Sequence, residues 1–304
     1  MQRIVIRKLP SGELKSVQPY HVSMKGHQTA VLCRDSEDYG VMVKYIAICS
    51  RRKNVIVIIY GVVSNHAHVA VLAASYQSAC EFADELKRVY AQWIQIKYRE
   101  KHILKGVDVQ AIPLEYDQYV RNACAYIPRN ALDNGQRVEE YKWSGYRAMF
   151  RDKNKPFNGL PVCKMTRREQ DRAMHSREPL KDVAWLLDAD GDILPETFCD
   201  VEYLEQAFNH DHAFWLKTIG SINTAELMER LEESPRRMLS DSELYKVVSD
   251  MSIQWLKTNL SDLPIEKKKR LLLYIWRSRK TTVNQLARVL GMDRAEIAGT
   301  IRKR

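Results

Sequence analysis

Residues 54–73 read NVIVIIYGVVSNHAHVAVLA, and their patterning decides the fold. From Asn54 to Val63 the chain is almost continuously β-branched or apolar, the composition of a strand buried on both faces. Ser64-Asn65 can turn the chain, and His66 to Ala74 then alternates as a second strand. Side chains alternate across a strand, so His66, His68, Ala70 and Leu72 share one face. Two imidazoles about 7 Å apart along a strand can close on one divalent cation. Two hydrogen-bonded or exposed histidines are the structural alternative.

Working outward, residues 17–23 and 28–33 have strand character around a Lys25-Gly26 turn, and Glu37 to Ser50 reads as a helix. After the histidine strand, Ser75 is an N-cap candidate. Phe82, Leu86, Val89 and Trp93 then recur on one helical face. Residues 107–114 read as a further strand and Glu115 to Ala131 as a further helix. This order is that of an α+β domain with helices on one face of an antiparallel sheet. On the last helix Val120, Cys124, Ile127 and Ala131 form an apolar stripe, and Tyr119, Ala123, Tyr126 and Asn130 form the stripe beside it. Tyr126 and Asn130 therefore stand one turn apart, where a phenol and an amide oxygen can act together. An interior Tyr used for packing is the alternative.

The stretch YGVVSNHAHVAV, residues 60–71, resembles the signature of the HUH single-tyrosine transposases, in particular the REP-associated tyrosine transposases. PYHVSMKG (19–26), RVYAQWIQIKY (88–98), AYIPRNAL (125–132) and YKWSGYRAMF (141–150) resemble further blocks of that family in the same order. The resemblance implies a ferredoxin/RRM-like HUH domain with His66, His68 and Asn130 as metal ligands, Mg²⁺ or Mn²⁺ as cofactor, and Tyr126 as nucleophile. It further implies cleavage and rejoining of single-stranded, hairpin-containing or repeat DNA through a 5′-phosphotyrosine. A bacterial cytoplasmic, nucleoid-associated location follows, and a homodimer is compatible with it. Ser64 stands in place of the family's usual proline, Lys25 in place of arginine, and Ala131 in place of a proline. Pro128 lies inside the tyrosine helix and removes the amide that would bond Cys124. The residues four before and four after Tyr126 are Asn122 and Asn130, which excludes a two-tyrosine arrangement on this helix. A DNA-binding regulator that kept the fold but lost the activity is the alternative function.

Forty-eight Lys and Arg against thirty-eight Asp and Glu leave a net charge of +10, which favours a polyanionic partner. Lys87, Arg88, Lys97, Arg99, Lys101, Arg121 and Arg129 are candidate phosphate contacts. None of the six cysteines forms a Cys-x-x-Cys pair, so a zinc knuckle is not expected and reduced thiols are. The N-terminal residues MQRIVIRKLPSGELK lack a secretory pattern. No run reaches about 18 uninterrupted apolar residues, so no membrane span is expected.

The polar stretch RDKNKPFNGLP, residues 151–161, reads as a linker. It separates a domain at 1–155 from a mostly helical region at 156–304, with helices near 166–176, 200–218, 223–233, 240–259 and 264–279. TTVNQLARVLGMDRAEIAGTIRKR (281–304) resembles a helix-turn-helix. Leu286, Val289, Leu290, Ile297 and Ile301 would form its core. Arg294, Glu296, Arg302, Lys303 and Arg304 would face DNA. His210 and His212 lie on or beside a helix, where residues two apart diverge, so a metal site is not expected there.

Overall fold

The computed structural model describes residues 3–26, 31–101, 104–133, 135–152, 154–156, 158–221, 241–278 and 281–302. The chain divides into two compact units, Met1–Leu227 and Met228–Arg304.

In the first unit, β1 (Val5–Lys8), β2 (Leu14–Gly26), β3 (Ile56–Val62), β4 (His66–Ala73) and β5 (Val107–Pro113) form an antiparallel sheet. Its hydrogen-bonded order is β3-β4-β2-β5, with β1 paired to the first residues of β2. Helix α1 (Ser36–Arg52) links β2 to β3, and α2 (Tyr76–Tyr98) links β4 to β5. Both begin at side-chain caps: Asp35, which the sequence reading did not single out, accepts from the Asp38 amide, and Ser75, the expected cap, accepts from the Ser78 amide. The turn expected at Lys25-Gly26 is instead the end of β2. Lys25 pairs with His66 on one side and Asp108 on the other, so two ladders keep this segment extended.

The pairing register sorts the side chains between two cores. Tyr20, Val22, Met24, Tyr60, Val69 and Val71 face α1 and α2. On the opposite face, Ile59, Ala70 and Leu72 pack against Val120, Cys124 and Ile127 of α3 (Asp117–Asp133). The expectation of helices on one face is therefore corrected: α1 and α2 share a face, and α3 covers the other. The apolar second face of β3 and β4 requires this, because leaving it uncovered would put Ile59 and Leu72 in water.

The domain boundary expected at 155–156 is also corrected. After the 151–161 stretch the chain returns to the sheet. Val57 bridges Cys199, and the Asp200 amide donates to the Val57 carbonyl at 2.7 Å. Farther along β3, the Val62 amide donates to Trp143 O at 3.0 Å. Unpaired edge groups of β3 are thereby occupied. A short pair, β6 (Leu160–Pro161) with β7 (Leu186–Leu187), precedes α5 (Val201–Ala207) and α6 (His212–Ser221), with α4 (Arg167–Ala173) inserted between β6 and β7. Met165, Met174, Leu180 and Trp185 join the α1–α2 core, and Tyr203, Phe208 and Trp215 join the α3 core. The single helix expected at 200–218 is divided between α5 and α6, because Asn209 and His210 adopt left-handed backbone. His212 stacks on Phe150 with ring centroids 5.0 Å apart, so it has a packing role.

Pro128 does not end α3, which continues to Asp133. The Cys124 carbonyl, deprived of its partner amide, accepts instead from Trp215 Nε1 on α6 at 3.3 Å. A residue outside the expected domain thus completes the tyrosine helix.

The second unit contains α7 (Asp241–Leu256), α8 (Ile265–Ser278), α9 (Val283–Leu290) and α10 (Arg294–Arg302). Thr282 caps α9, and Gly291 ends it with a φ of 61°, which glycine adopts without strain. Leu286, Val289, Leu290 and Ile297 are buried with Leu244, Val248, Leu271, Leu272 and Ile275, and Ile301 packs at their margin. The helix expected at 223–233 lies outside the described residues. Among the described residues no helix is long and apolar enough to cross a membrane.

Candidate active site

β4 and α3 bring the sequence-selected residues together on the α3 face of the sheet. Gly61 and Ser23 are the register partners of His68 on the two neighbouring strands, so small residues flank the imidazole. A Cβ on Gly61 would stand 2.7 Å from the Ile127 carbonyl oxygen. The glycine therefore lets α3 lie close to the sheet and sets the depth of Tyr126 and Asn130. His66 Nε2 lies 3.0 Å from Asn130 Oδ1, and the His68 and Tyr126 ring centroids are 5.2 Å apart. His66 and His68 centroids are 4.9 Å apart with their planes at 69°. His66 is half-buried, whereas His68, Tyr126 and Asn130 are 1%, 3% and 3% exposed.

Hydrogen bonding orients this group. Asn130 Nδ2 donates to the Tyr126 and Ile127 carbonyls at 3.1 Å each, which turns Oδ1 toward His66. The other His66 nitrogen, Nδ1, faces Asn65 Oδ1 at 2.7 Å. A neutral imidazole has one N–H for these two amide oxygens. If Asn65 takes it, the His66 Nε2 and Asn130 Oδ1 lone pairs face one another, as two ligands of one cation do. Adjacent ligands of an octahedral Mg²⁺ at 2.0–2.1 Å stand about 3 Å apart, which matches this pair. The buried Nε2 of His68 has no hydrogen-bond partner among the described residues. These donors fit a divalent cation.

A third histidine belongs to the cluster. His21 Nε2 lies 3.0 Å from His68 Nδ1, with the rings stacked at 4.9 Å and 27°. Burial first, then the charge of Lys25, lowers the His21 pKa to about 3. Burial, followed by His21, His66 and Lys25, holds His68 well below the usual histidine range. Both rings are therefore neutral near pH 7, and one of their two N–H groups lies between them. When His68 Nδ1 is the donor, its Nε2 presents a lone pair, as when a hydrogen bond to one ring nitrogen orients the other toward a metal. Sequence reasoning assigned His21 no role. Alternation in β2 places it on one face with Ser23 and Lys25, but only the β2–β4 register puts that face beside His68.

The candidate phosphate contacts divide. Lys87 donates to the Val107 carbonyl at 2.6 Å, and Arg129 donates to the Ile219 carbonyl at 3.0 Å. Lys97 is held at 2.7, 2.9 and 2.8 Å by Asp35, Glu37 and Asp38. These three candidate phosphate contacts are thus engaged within the fold. Arg88 pairs with Glu85 at 2.7 Å, and Arg121 is half-buried within 3.5 Å of Gln118. Arg99, Lys101, Arg294 and Arg302 are exposed. Glu296, expected to face DNA, pairs with Lys269 at 3.3 Å. Lys303 and Arg304 lie outside the described residues. Asp188, Asp190 and Asp192 also gather possible ligand oxygens, but Lys142 Nζ lies 2.7 Å from both Asp190 and Asp192 and answers their charge.

No protein-family model matches the chain, and no curated protein does. Among solved structures it is similar to a REP-associated tyrosine transposase bound to a REP hairpin, at 13% sequence identity. The match covers 47% of this chain and 86% of that one, with a TM-score of 0.35. The likeness is distant.

Proposed function

We propose that the protein is an HUH-type transposase that cleaves and rejoins one DNA strand, with Tyr126 as nucleophile and a divalent cation held by His66, His68 and Asn130. The observation that carries this reading is the facing of His66 Nε2 and Asn130 Oδ1 at 3.0 Å beside the orphaned Nε2 of His68. The β-α-β-β-α-β order of β2 to β5, with strand order β3-β4-β2-β5, has ferredoxin-like connectivity and agrees with the motif resemblance.

In this reading the Tyr126 oxygen attacks the scissile phosphorus, and the bond to the 3′ oxygen breaks. The products are a 5′-phosphotyrosine and a free 3′-hydroxyl, which can attack in turn and restore the strand without ATP. The phenol, of ordinary pKa near 10, must lose its proton to act. When bound, Mg²⁺ or Mn²⁺ would polarise a non-bridging phosphate oxygen. Lys25, register partner of His66, lies on the same strand face and adds positive charge near the site. Arg99 and Lys101 could hold backbone phosphates, and Arg294 and Arg302 on α10 could contact duplex DNA as a helix-turn-helix does.

One observation favours the retired-regulator reading: Tyr126 is 3% exposed, so a phosphate can reach it only after its cover moves. His66→Ala separates the two. Cleavage of a hairpin-bearing single strand should fall on the order of 100-fold or more, as expected for lost charge stabilisation. Mn²⁺ affinity, read by electron paramagnetic resonance, should fall with it, while affinity for the strand in EDTA stays within about twofold because phosphate contacts dominate it. Unchanged Mn²⁺ binding in the variant, or joint loss of DNA binding and thermal stability, would leave His66 with a structural role.

A further inference from the structure

The second unit presents a surface that the sheet site does not use. Helix α8 sends Leu271, Leu272 and Ile275 into its core. On its outer side Lys267, Arg270, Tyr274 and Arg277 recur at steps of three and four, and all four are exposed. With a rise of 1.5 Å per residue, the stripe runs about 15 Å along the helix. Near the end of α7, Trp255 meets the Tyr274 ring at 4.7 Å and 84°. Even so paired, Trp255 and Tyr274 remain 52% and 47% exposed, so each leaves about half its surface in water.

The charges of this stripe are unanswered. Glu266, one turn before Arg270, is taken by Lys269, and Lys269 also holds Glu296. Among the described residues Lys267, Arg270 and Arg277 have no carboxylate partner. Large aromatics normally contribute to stability by burial, and exposed ones set among cations suit a partner that brings both negative charge and flat apolar faces. An unpaired polynucleotide alternates phosphates with bases along its length, and its base faces are open to stacking. A duplex hides those faces. The alternation of cation, ring and cation along α8 is complementary to the single strand.

We propose that Trp255 and Tyr274, flanked by Lys267, Arg270 and Arg277, form a stacking platform for an unpaired polynucleotide strand, independent of any chemistry at Tyr126. The test uses the full chain in EDTA, which keeps cation-dependent chemistry silent, with fluorescence anisotropy of labelled (dT)20, (rU)20 and a duplex of equal length. Trp255→Ala/Tyr274→Ala should weaken binding of at least one single strand about tenfold, within the effect of losing one or two stacked bases, and leave duplex affinity within twofold. Lys267→Gln/Arg270→Gln/Arg277→Gln should lower the salt dependence of single-strand binding by about two phosphate contacts. This second variant also guards against misfolding of the first, and circular dichroism melting reports on both. Wild-type affinity and salt slope in the charge variant would overturn the proposal, as would equal losses for single strand and duplex. So would loss of binding to anionic vesicles with (dT)20 binding intact, which would assign the surface to a membrane.

Discussion

Tyr126→Phe should lower single-turnover cleavage of a hairpin-bearing single strand on the order of 10³-fold or more, because the substitution deletes the oxygen proposed to attack and little else. The ring stays where it is: it is 3% exposed and stands edge-on to His68 and His21. Loss of one hydroxyl should change stability by about 1 kcal/mol, so a folded but inactive protein is expected. Strand affinity should persist, because phosphate contacts supply it. Cleavage at the wild-type rate would place the nucleophile elsewhere, with the exposed Tyr116 and half-exposed Tyr119 at the start of α3 as the next residues to replace.

The largest effect on stability is expected at Trp215, which is outside the motif blocks. Its ring is fully buried and stacks on Tyr146 with centroids 4.9 Å apart and planes at 19°. Truncation of a buried aromatic to alanine costs about 3–5 kcal/mol. Trp215 also donates to the Cys124 carbonyl that Pro128 leaves without an amide. Trp215→Phe keeps much of the packing but orphans that carbonyl, so a smaller loss of about 1–3 kcal/mol is expected. Urea unfolding should rank the wild type above Phe and Phe above Ala. If Phe matches the wild type, the indole hydrogen bond does not contribute measurably to stability. Restoring the amide by Pro128→Ala should soften the Trp215→Phe penalty, since the carbonyl regains a local partner.

The sheet and its chemistry were differently legible in the sequence. Alternation and the Ser64-Asn65 turn place His66 and His68 on one face without tertiary information, and the helical steps place Tyr126 beside Asn130. Meeting of the two pairs depends on α3 lying on the histidine face. The β-branched composition of residues 54–63 already implied that this face is covered, but element order alone did not say by what. Gly61, read only as part of a strand, proved to lie where α3 comes close enough that a Cβ would meet the Ile127 carbonyl. His21 was hidden because strand register arises from ladder pairing across distant segments. Residues 158–221 were misassigned for a related reason. A polar, proline-containing stretch marks a turn in the chain, yet it carries no information on whether the following residues return to the same core. Among the basic residues, composition could not separate Lys97, held by three carboxylates from the start of α1, from Arg99, which remains exposed.

The most direct test of the central claim is covalent capture. Wild-type protein incubated with Mn²⁺ and a pool of hairpin-bearing single strands, then denatured and digested, should yield a peptide containing Tyr126 whose mass is raised by a 5′-linked nucleotide fragment. The adduct should disappear with EDTA and in Tyr126→Phe. Absence of any adduct across the pool, or an adduct on a peptide lacking Tyr126, would contradict the account.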